Sequence, residues 1–234
     1  MKSFITTFYQ KYKHIIPLLV YGAFYLSAFV YLEHHVTTSF HEIHMAIDDK
    51  IPFIEYFVVP YFSWFVYIAS VVVFFFFKNV KEYKRLCVFL AIGMTVFLIV
   101  SYVYPNGDYL RPTAFEHDNI FTRMVATLYK ADTATNLFPS IHVYNSLGAT
   151  IALLRCDEFK NKKWIHYGSV VLCICIILST VFIKQHSVFD VITGFGMAGI
   201  MYVLIYRVSW VKQTFKAVSA NKINEKAKNS SANC

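Results

Sequence analysis

The sequence predicts an all-α integral membrane protein with six transmembrane helices, and its composition and charge distribution carry that prediction. Of its 234 residues, 57% are hydrophobic and only 15% are charged, whereas soluble domains carry about 25% charged residues. The apolar residues also occur in long runs, and a helix needs about 20 of them to cross the hydrocarbon core of a bilayer. The expected spans are 15–32, 56–77, 86–104, 139–154, 165–183 and 187–206.

Positive charges fall on alternate connections between these spans, which predicts the orientation. Of the 22 lysine and arginine residues, 17 lie before the first span, between the second and third, between the fourth and fifth, or after the sixth. Because cytoplasmic loops are enriched in these residues, we expect both termini in the cytoplasm. The same asymmetry accounts for the net charge of +8, since basic cytoplasmic loops are attracted to anionic lipid. No nucleic-acid partner is therefore expected.

These features predict a single membrane domain and place the protein in the cell membrane as a multi-pass protein. Residues 1–14 form a cytoplasmic N-terminus, and 15–210 form the six-helix domain with outer loops 33–55 and 105–138. Residues 211–234 form a basic cytoplasmic tail, whose polar, lysine-rich composition predicts disorder.

Both outer loops are expected to contain a short helix. In 33–55, apolar residues recur at helical spacing, which predicts a helix on the membrane surface; they are Phe40, Ile43 and Ile47. His41 and His44 lie in the same loop and could in principle bind a metal, but we favour interfacial histidines. In 105–138, Asp118-Asn119 offers a helix start, and an amphipathic helix over 119–131 follows from the spacing of Ile120, Met124 and Leu128.

The start of the sixth span carries a histidine and a carboxylate one turn apart. His186 and Asp190 are four residues apart, so they share one face of a helix. A carboxylate can accept a hydrogen bond from one ring nitrogen and leave the other free to attack. Gly194 and Ala198 continue the face, and small residues let another helix approach closely. A carboxylate in a span is costly and suggests function, although a structural pair joining helices is the alternative.

The start of the fourth span resembles a phosphate site. Pro139 suits the first turn of a helix, and the backbone N–H groups of Ser140, Ile141 and His142 then have no acceptor within the helix. Such helix ends bind phosphate readily, and the Ser140 hydroxyl adds a donor. Taken alone, Pro-Ser-x-His is also compatible with an ordinary helix cap.

Arg111 is one of the few cations expected on the outer face. Its planar guanidinium matches the geometry of a phosphate group. An isolated arginine there would more often anchor a lipid head group, so its assignment depends on the residues around it.

Taken together, these residues resemble the type 2 phosphatidic acid phosphatase superfamily. That family has three motifs, Lys-x6-Arg-Pro, Pro-Ser-x-His and Ser-Arg-x5-His-x3-Asp. Here they read Tyr104-x6-Arg111-Pro112, Pro139-Ser140-x-His142 and Ser179-Thr180-x5-His186-x3-Asp190. The resemblance covers about residues 56–206, and it implies six spans with a site at the extracytoplasmic surface.

Two cations of the family pattern are missing. Tyr104 stands in the lysine position and Thr180 in the arginine position. Lys184 lies one helical turn after Thr180, and we hypothesise that it replaces the missing arginine in binding phosphate.

The resemblance implies metal-independent phosphoryl transfer without a cofactor. His186 attacks phosphorus and becomes a phosphohistidine, while Asp190 orients the ring and stabilises its charge. His142 protonates the leaving oxygen, and Arg111 and Ser140 hold the phosphate oxygens. The favoured function is hydrolysis of a lipid phosphate or diphosphate. One alternative is a lipid phospho-head-group transferase like the sphingolipid synthases, and the other is a non-catalytic lipid-binding or transport protein on this scaffold.

Overall fold

The computed structural model describes residue 10 and residues 12–36 and 39–208. Seven α-helices and two short strands form in this part of the chain. They are α1 (Ile16–His35), β1 (His41–Glu42), α2 (Val58–Lys78), α3 (Val80–Val103), β2 (Asn106–Gly107), α4 (Ile120–Ala131), α5 (Ile141–Leu154), α6 (Lys163–Phe182) and α7 (Val188–Tyr202).

A helix forms at each of the six predicted spans, and the mostly helical membrane architecture is confirmed. Within the described residues, five helices are long and apolar enough to cross a membrane; they are Lys13–His35, Glu55–Lys78, Val80–Val103, Lys163–Phe182 and Val188–Arg207. The helix α5 has 14 residues and is therefore about 21 Å long, shorter than a typical hydrocarbon core. A sixth crossing and the orientation of the termini stay predictions.

The chain divides within α7 into two compact units, residues 1–198 and residues 199–234. The first unit contains α1 to α6, the first turns of α7 and every candidate site residue. The described part of the second contains the end of α7 and one π-helical turn, Val203–Arg207. The predicted cytoplasmic tail, 211–234, lies outside the described residues, as does most of the predicted N-terminal segment 1–14.

The short helix α5 is central to the first unit, where it packs against α2, α3 and α6. Its close approach to α3 depends on glycine. A Cβ atom at Gly148 would lie 2.5 Å from the Phe89 ring, and one at Gly93 would lie 2.0 Å from the Tyr144 ring. Because these contacts bury α5 from several sides, its polar residues are also buried, and one of them, Thr150, shares a 2.8 Å hydrogen bond with Tyr67.

The surface helix predicted around residues 40–47 is wrong. This stretch instead contains β1, which pairs in parallel with β2. The His41 N–H donates to Pro105 O and the Ile43 N–H to Gly107 O, both at 2.8 Å. An isolated helix of two turns is unstable in water, and pairing with the start of the second outer loop satisfies the same backbone groups.

The helix predicted over 119–131 is confirmed as α4. Asn119 caps it, because its side chain accepts hydrogen bonds from the N–H groups of Phe121 and Thr122 at 2.8 and 3.0 Å. Its buried residues are Thr122, Val125 and Leu128, and Met124 packs partly buried against the same cluster, so two of the three residues of the predicted stripe face the core. Ile120, at the start of the helix, is 68% exposed.

Candidate functional site

The structure brings together the two histidines that the motifs single out. The Nε2 atom of His186 lies 3.4 Å from the Nδ1 atom of His142, although 44 residues separate them. His142 is in the first turn of α5, and His186 precedes α7 by two residues. The rings of Tyr61 and Trp64 pack on His142 with centroid distances of 4.6 and 4.4 Å. Helix α2 therefore fixes one histidine against the other.

Asp190 lies beside the other nitrogen of His186. The Nδ1 atom is 3.4 Å from Asp190 Oδ2, which is longer than an ordinary hydrogen bond. The same oxygen accepts a 3.0 Å hydrogen bond from the Ser187 N–H. Asp190 is fully buried, and its Oδ1 has no hydrogen-bond partner among the described residues. The orienting hydrogen bond that the spacing predicts therefore stays a prediction.

A tight turn between α6 and α7 presents His186 to the site. The N–H groups of Gln185 and His186 both donate to the carbonyl of Thr180, at 2.9 and 3.0 Å. Lys184 has a φ of 52°, a left-handed conformation that is uncommon outside glycine. Thr180, the residue in the missing arginine position, therefore contributes its backbone to the site.

Arg111 ties the segment after α4 to this turn. Its guanidinium donates to the carbonyls of Tyr129, Asp132 and Thr133 at 3.2, 2.9 and 2.7 Å, and to the side-chain oxygen of Gln185. The guanidinium carbon also lies 4.4 Å from the centre of the Tyr129 ring. Arg111 is thus anchored one residue away from His186, with its Nε buried and unpartnered within the described chain.

Ser140 lies between α5 and α7. Its hydroxyl accepts a long, 3.4 Å hydrogen bond from the Val143 N–H, as an N-cap residue does. Its own N–H donates to the carbonyl of Asp190 at 3.3 Å. One of the three amides predicted to be free for phosphate is therefore engaged with α7, and the other two belong to Ile141 and His142.

Lys184 is buried and points to the first outer loop. Its Nζ donates to the backbone carbonyl of Asp48 at 2.7 Å, and burial lowers the pKa of this amine below its usual value. An ammonium has three donors, so this contact leaves others for a ligand. Its predicted phosphate-binding role stays a prediction.

Asp108 is a buried acid that the sequence reasoning missed. It is 1% exposed, and its Oδ1 accepts a 3.1 Å hydrogen bond from the Leu110 N–H. Its Oδ2 has no partner in the part of the chain that is described. Burial raises its pKa to about 6; the charge of Asp190 adds to the rise, while His186 and Arg111 oppose it. The only signal in the sequence was its position, three residues before Arg111.

Two further acids, Glu33 and Asp132, lie at the segment whose carbonyls bind Arg111. Glu33, at the end of α1, accepts hydrogen bonds from the Thr133 hydroxyl at 2.6 Å and from the Asn136 amide at 3.0 Å. Asp132 accepts one from the Tyr61 hydroxyl at 3.2 Å. Burial raises the pKa of Asp132, and the charge of Glu33 raises it further.

The histidines of the first outer loop have separate partners. His41 stacks on Tyr104 at 4.2 Å, and His44 bonds to Asp49 at 2.9 Å. Among the described residues, no three His, Cys, Asp or Glu side chains are grouped so that they could hold a metal ion.

A comparison with family models supports the motif assignment. The model described as the PAP2 superfamily matches residues 108–214. The matched segment begins at the buried Asp108 and includes Arg111 and the complete second and third motifs, but not Tyr104. No curated protein and no solved structure matches the chain.

Proposed function

Because residues 108–214 match the family model described as the PAP2 superfamily, we propose that the protein hydrolyses a lipid phosphate or diphosphate at the extracytoplasmic surface of the cell membrane. The reaction passes through a phosphohistidine at His186 and uses neither a metal nor a cofactor. One observation carries the proposal: His186 has His142 at 3.4 Å from one ring nitrogen and Asp190 at 3.4 Å from the other. A nucleophile, a proton donor and an orienting carboxylate are thereby adjacent.

In the first step, Nε2 of His186 forms a bond to phosphorus while the bond from phosphorus to the lipid oxygen breaks. In a reactive geometry the attacking atom lies about 3–3.5 Å from its target, so the leaving oxygen is within a few ångströms of His186. His142 is the adjacent group that protonates it. Asp190 stabilises the positive charge that develops on the His186 ring.

In the second step, water attacks the phosphohistidine and the nitrogen–phosphorus bond breaks. His142, which has lost its proton to the lipid alcohol, accepts the proton of the water. A lipid monophosphate gives the lipid alcohol and phosphate, a lipid diphosphate gives the lipid monophosphate and phosphate, and both histidines return to their starting states. General acid and base assistance typically contributes about 10²–10⁴-fold.

The phosphate oxygens are held at the end of α5 and by the cations beside it. Ser140 contributes its hydroxyl, and the amides of Ile141 and His142 face the helix end. Arg111 is anchored through Gln185 next to the nucleophile, and Lys184 lies two residues before the nucleophile in the same turn. Preorganised donors of this kind stabilise the charge of the transition state without reorganising.

The lipid nature of the substrate follows from the setting of the site. His186 lies between two helices that are long and apolar enough to cross a membrane, Lys163–Phe182 and Val188–Arg207, so we expect the phosphate to be presented from the membrane. The predicted orientation, with both termini in the cytoplasm, opens the site to the other side. Phosphatidic acid-like and polyprenyl diphosphate-like lipids are the candidate substrates.

The positions of the missing family cations favour a second candidate, a lipid phospho-head-group transferase. Tyr104 stacks on His41, and Thr180 contributes its carbonyl to the turn, so neither supplies a charge for a dianionic phosphate. In a transferase, the hydroxyl of a second lipid would replace water in the second step. A non-catalytic lipid-binding protein is the third candidate, and the adjacency of His142, His186 and Asp190 argues against it.

The test is phosphate release by the purified protein in detergent, from a panel of lipid phosphates and diphosphates with EDTA present. His186→Ala should abolish release. His117→Ala is the matched control, since the His117 side chain is 68% exposed and should leave the rate unchanged. Release that depends on added metal would refute the mechanism. If no lipid is hydrolysed, transfer from a labelled phospholipid to an alcohol acceptor tests the transferase. If neither hydrolysis nor transfer is detected, the non-catalytic lipid-binding protein is the remaining candidate.

A further inference from the structure

The first outer loop places a buried carboxylate at the start of α7. Asp48 is 2% exposed. Its Oδ1 accepts a 2.9 Å hydrogen bond from the Val188 N–H, and its Oδ2 accepts one of 2.6 Å from the Ser187 hydroxyl. The Met45 N–H also donates to Oδ2, at 2.8 Å. A residue 140 positions earlier in the chain therefore caps the helix that follows His186.

The same residue also holds the chain on the other side of His186. The backbone carbonyl of Asp48 accepts the 2.7 Å hydrogen bond from Lys184 Nζ. Lys184 precedes His186 by two residues and has the left-handed conformation of the turn. Asp48 thus contacts the turn both before and after the histidine.

These contacts have a direct electrostatic reason. The first N–H groups of a helix lack acceptors within it and carry a partial positive charge. The Asp48 carboxylate satisfies the Val188 N–H and lies at that positive end. The start of α7 is therefore occupied by a residue of the protein, which leaves the end of α5 and Arg111 to receive a phosphate.

We propose that Asp48 is a positioning residue for His186, which fixes the turn at Lys184 and at Ser187 so that Nε2 stays directed towards His142. The proposal rests on the function proposed above, in which His186 is the nucleophile. It assigns to the first outer loop a role in catalysis that neither the motifs nor the family match includes.

The first test compares Asp48→Asn with Asp49→Asn. Asparagine keeps the shape of the side chain, but its NH2 group replaces Oδ2, which accepts the hydrogen bond from the Met45 N–H. The NH2 group cannot accept that hydrogen bond. Asp49 bears the same charge one residue later, and its side chain is 66% exposed. We expect Asp48→Asn to lower kcat and the rate of phosphohistidine formation by about 10- to 100-fold with KM within about 3-fold, since a misplacement of about 1 Å costs about 10² in rate. Asp49→Asn should leave both unchanged.

A second readout does not depend on activity. Diethyl pyrocarbonate modifies accessible imidazoles, and the rate at His186 can be followed by mass spectrometry of the full-length protein in detergent. Release of the turn should accelerate modification at His186 in Asp48→Asn and not in Asp49→Asn. Should Asp48→Asn not fold, Ser187→Ala removes one hydrogen bond to Asp48 and should give the same changes to a smaller degree.

The outcomes separate the two proposals. The positioning role would be overturned if Asp48→Asn kept both the wild-type kcat and the wild-type rate of modification at His186. A KM effect without a kcat effect would also overturn it, because it would place Asp48 in substrate binding. If the wild-type protein hydrolyses no lipid, the proposed function fails, and the modification rates still decide whether Asp48 holds His186.

Discussion

Gly194 determines how closely the helix behind His186 approaches the helix that carries His142. A Cβ atom placed on Gly194 would lie 3.0 Å from the carbonyl oxygen of Ser140 and 3.0 Å from the Cβ of Val143. Gly196 lies two residues further along α7 and is exposed, and a Cβ there would meet no atom within 4 Å among the described residues. The two glycines form a matched pair on one helix.

The structure gives the size of the expected effect. Carbon atoms in contact prefer separations of about 3.5–4.0 Å, so Gly194→Ala requires α7 to move away from α5 by about 0.5–1 Å. His142 and His186 lie at the facing ends of these helices, and their 3.4 Å separation should increase with the movement. We expect Gly194→Ala to lower kcat by about 10-fold and Gly194→Leu by more than about 100-fold.

The assay is lipid phosphate hydrolysis in detergent, with thermal stability measured on the same samples. Gly196→Ala and Gly196→Leu should stay within about 2-fold of the wild-type rate, because their side chains enter open space. Alanine raises helix propensity equally at both positions. The difference in rate between the Gly194 variants and the Gly196 variants therefore reports the contact between α5 and α7 alone. Equal rates for Gly194→Leu and Gly196→Leu would refute the reasoning that this contact sets the distance between the histidines.

Two further predictions concern the charges around the site. The pKa of Asp108 rises from 3.8 to about 6 in the fold, so the folded state loses stability as the pH increases from about 4 to about 6. Asp108→Asn should then raise the free energy of unfolding by about 3 kcal/mol at pH 7.5 and leave it unchanged at pH 4. The measurement is the melting temperature of variant and wild type at both pH values. An equal gain at the two pH values would contradict the prediction. Lys184→Ala should lower activity by about 10-fold or more if its charge stabilises the transition state, whereas Lys184→Arg should retain most of it. If Lys184 acts only through Asp48, the double variant with Asp48→Asn will be no slower than the slower single variant.

Local patterns in the sequence were sufficient for the elements that build the site. The runs of apolar residues predicted the six helices α1, α2, α3, α5, α6 and α7, and the Asn119 cap predicted the start of α4. The adjacency of His142 and His186 followed from placing each histidine at the outer end of a span. The spacing of His186, Asp190 and Gly194 describes one helix face, and the contact of Gly194 with Ser140 confirms which helix that face meets.

The residues that the sequence did not reveal act through long-range contacts. Asp48 caps a helix 140 residues away, and nothing in its own neighbourhood indicates that partner. The strand pairing of His41 with Asn106 replaced an expected helix for the same reason, because spacing within a loop does not describe what packs on it. Asp108 follows β2, and its N–H donates to the carbonyl of Ala134 at 3.1 Å, so its burial and its raised pKa depend on contacts that are distant in the sequence.

The hydrogen bonds that hold the two basic side chains at the site go to uncharged acceptors. Arg111 bonds to three backbone carbonyls and an amide oxygen, and Lys184 bonds to a backbone carbonyl. Such acceptors are neutral, so they fix each cation without cancelling it, whereas an ion pair would. In a buried site with a low dielectric, a fixed charge acts on a phosphate over several ångströms. Because Asp108 and Asp190 oppose these charges, the number of negative charges on the phosphate should govern which lipids react. A comparison of monoester, diester and diphosphate lipids therefore separates the phosphatase from the transferase.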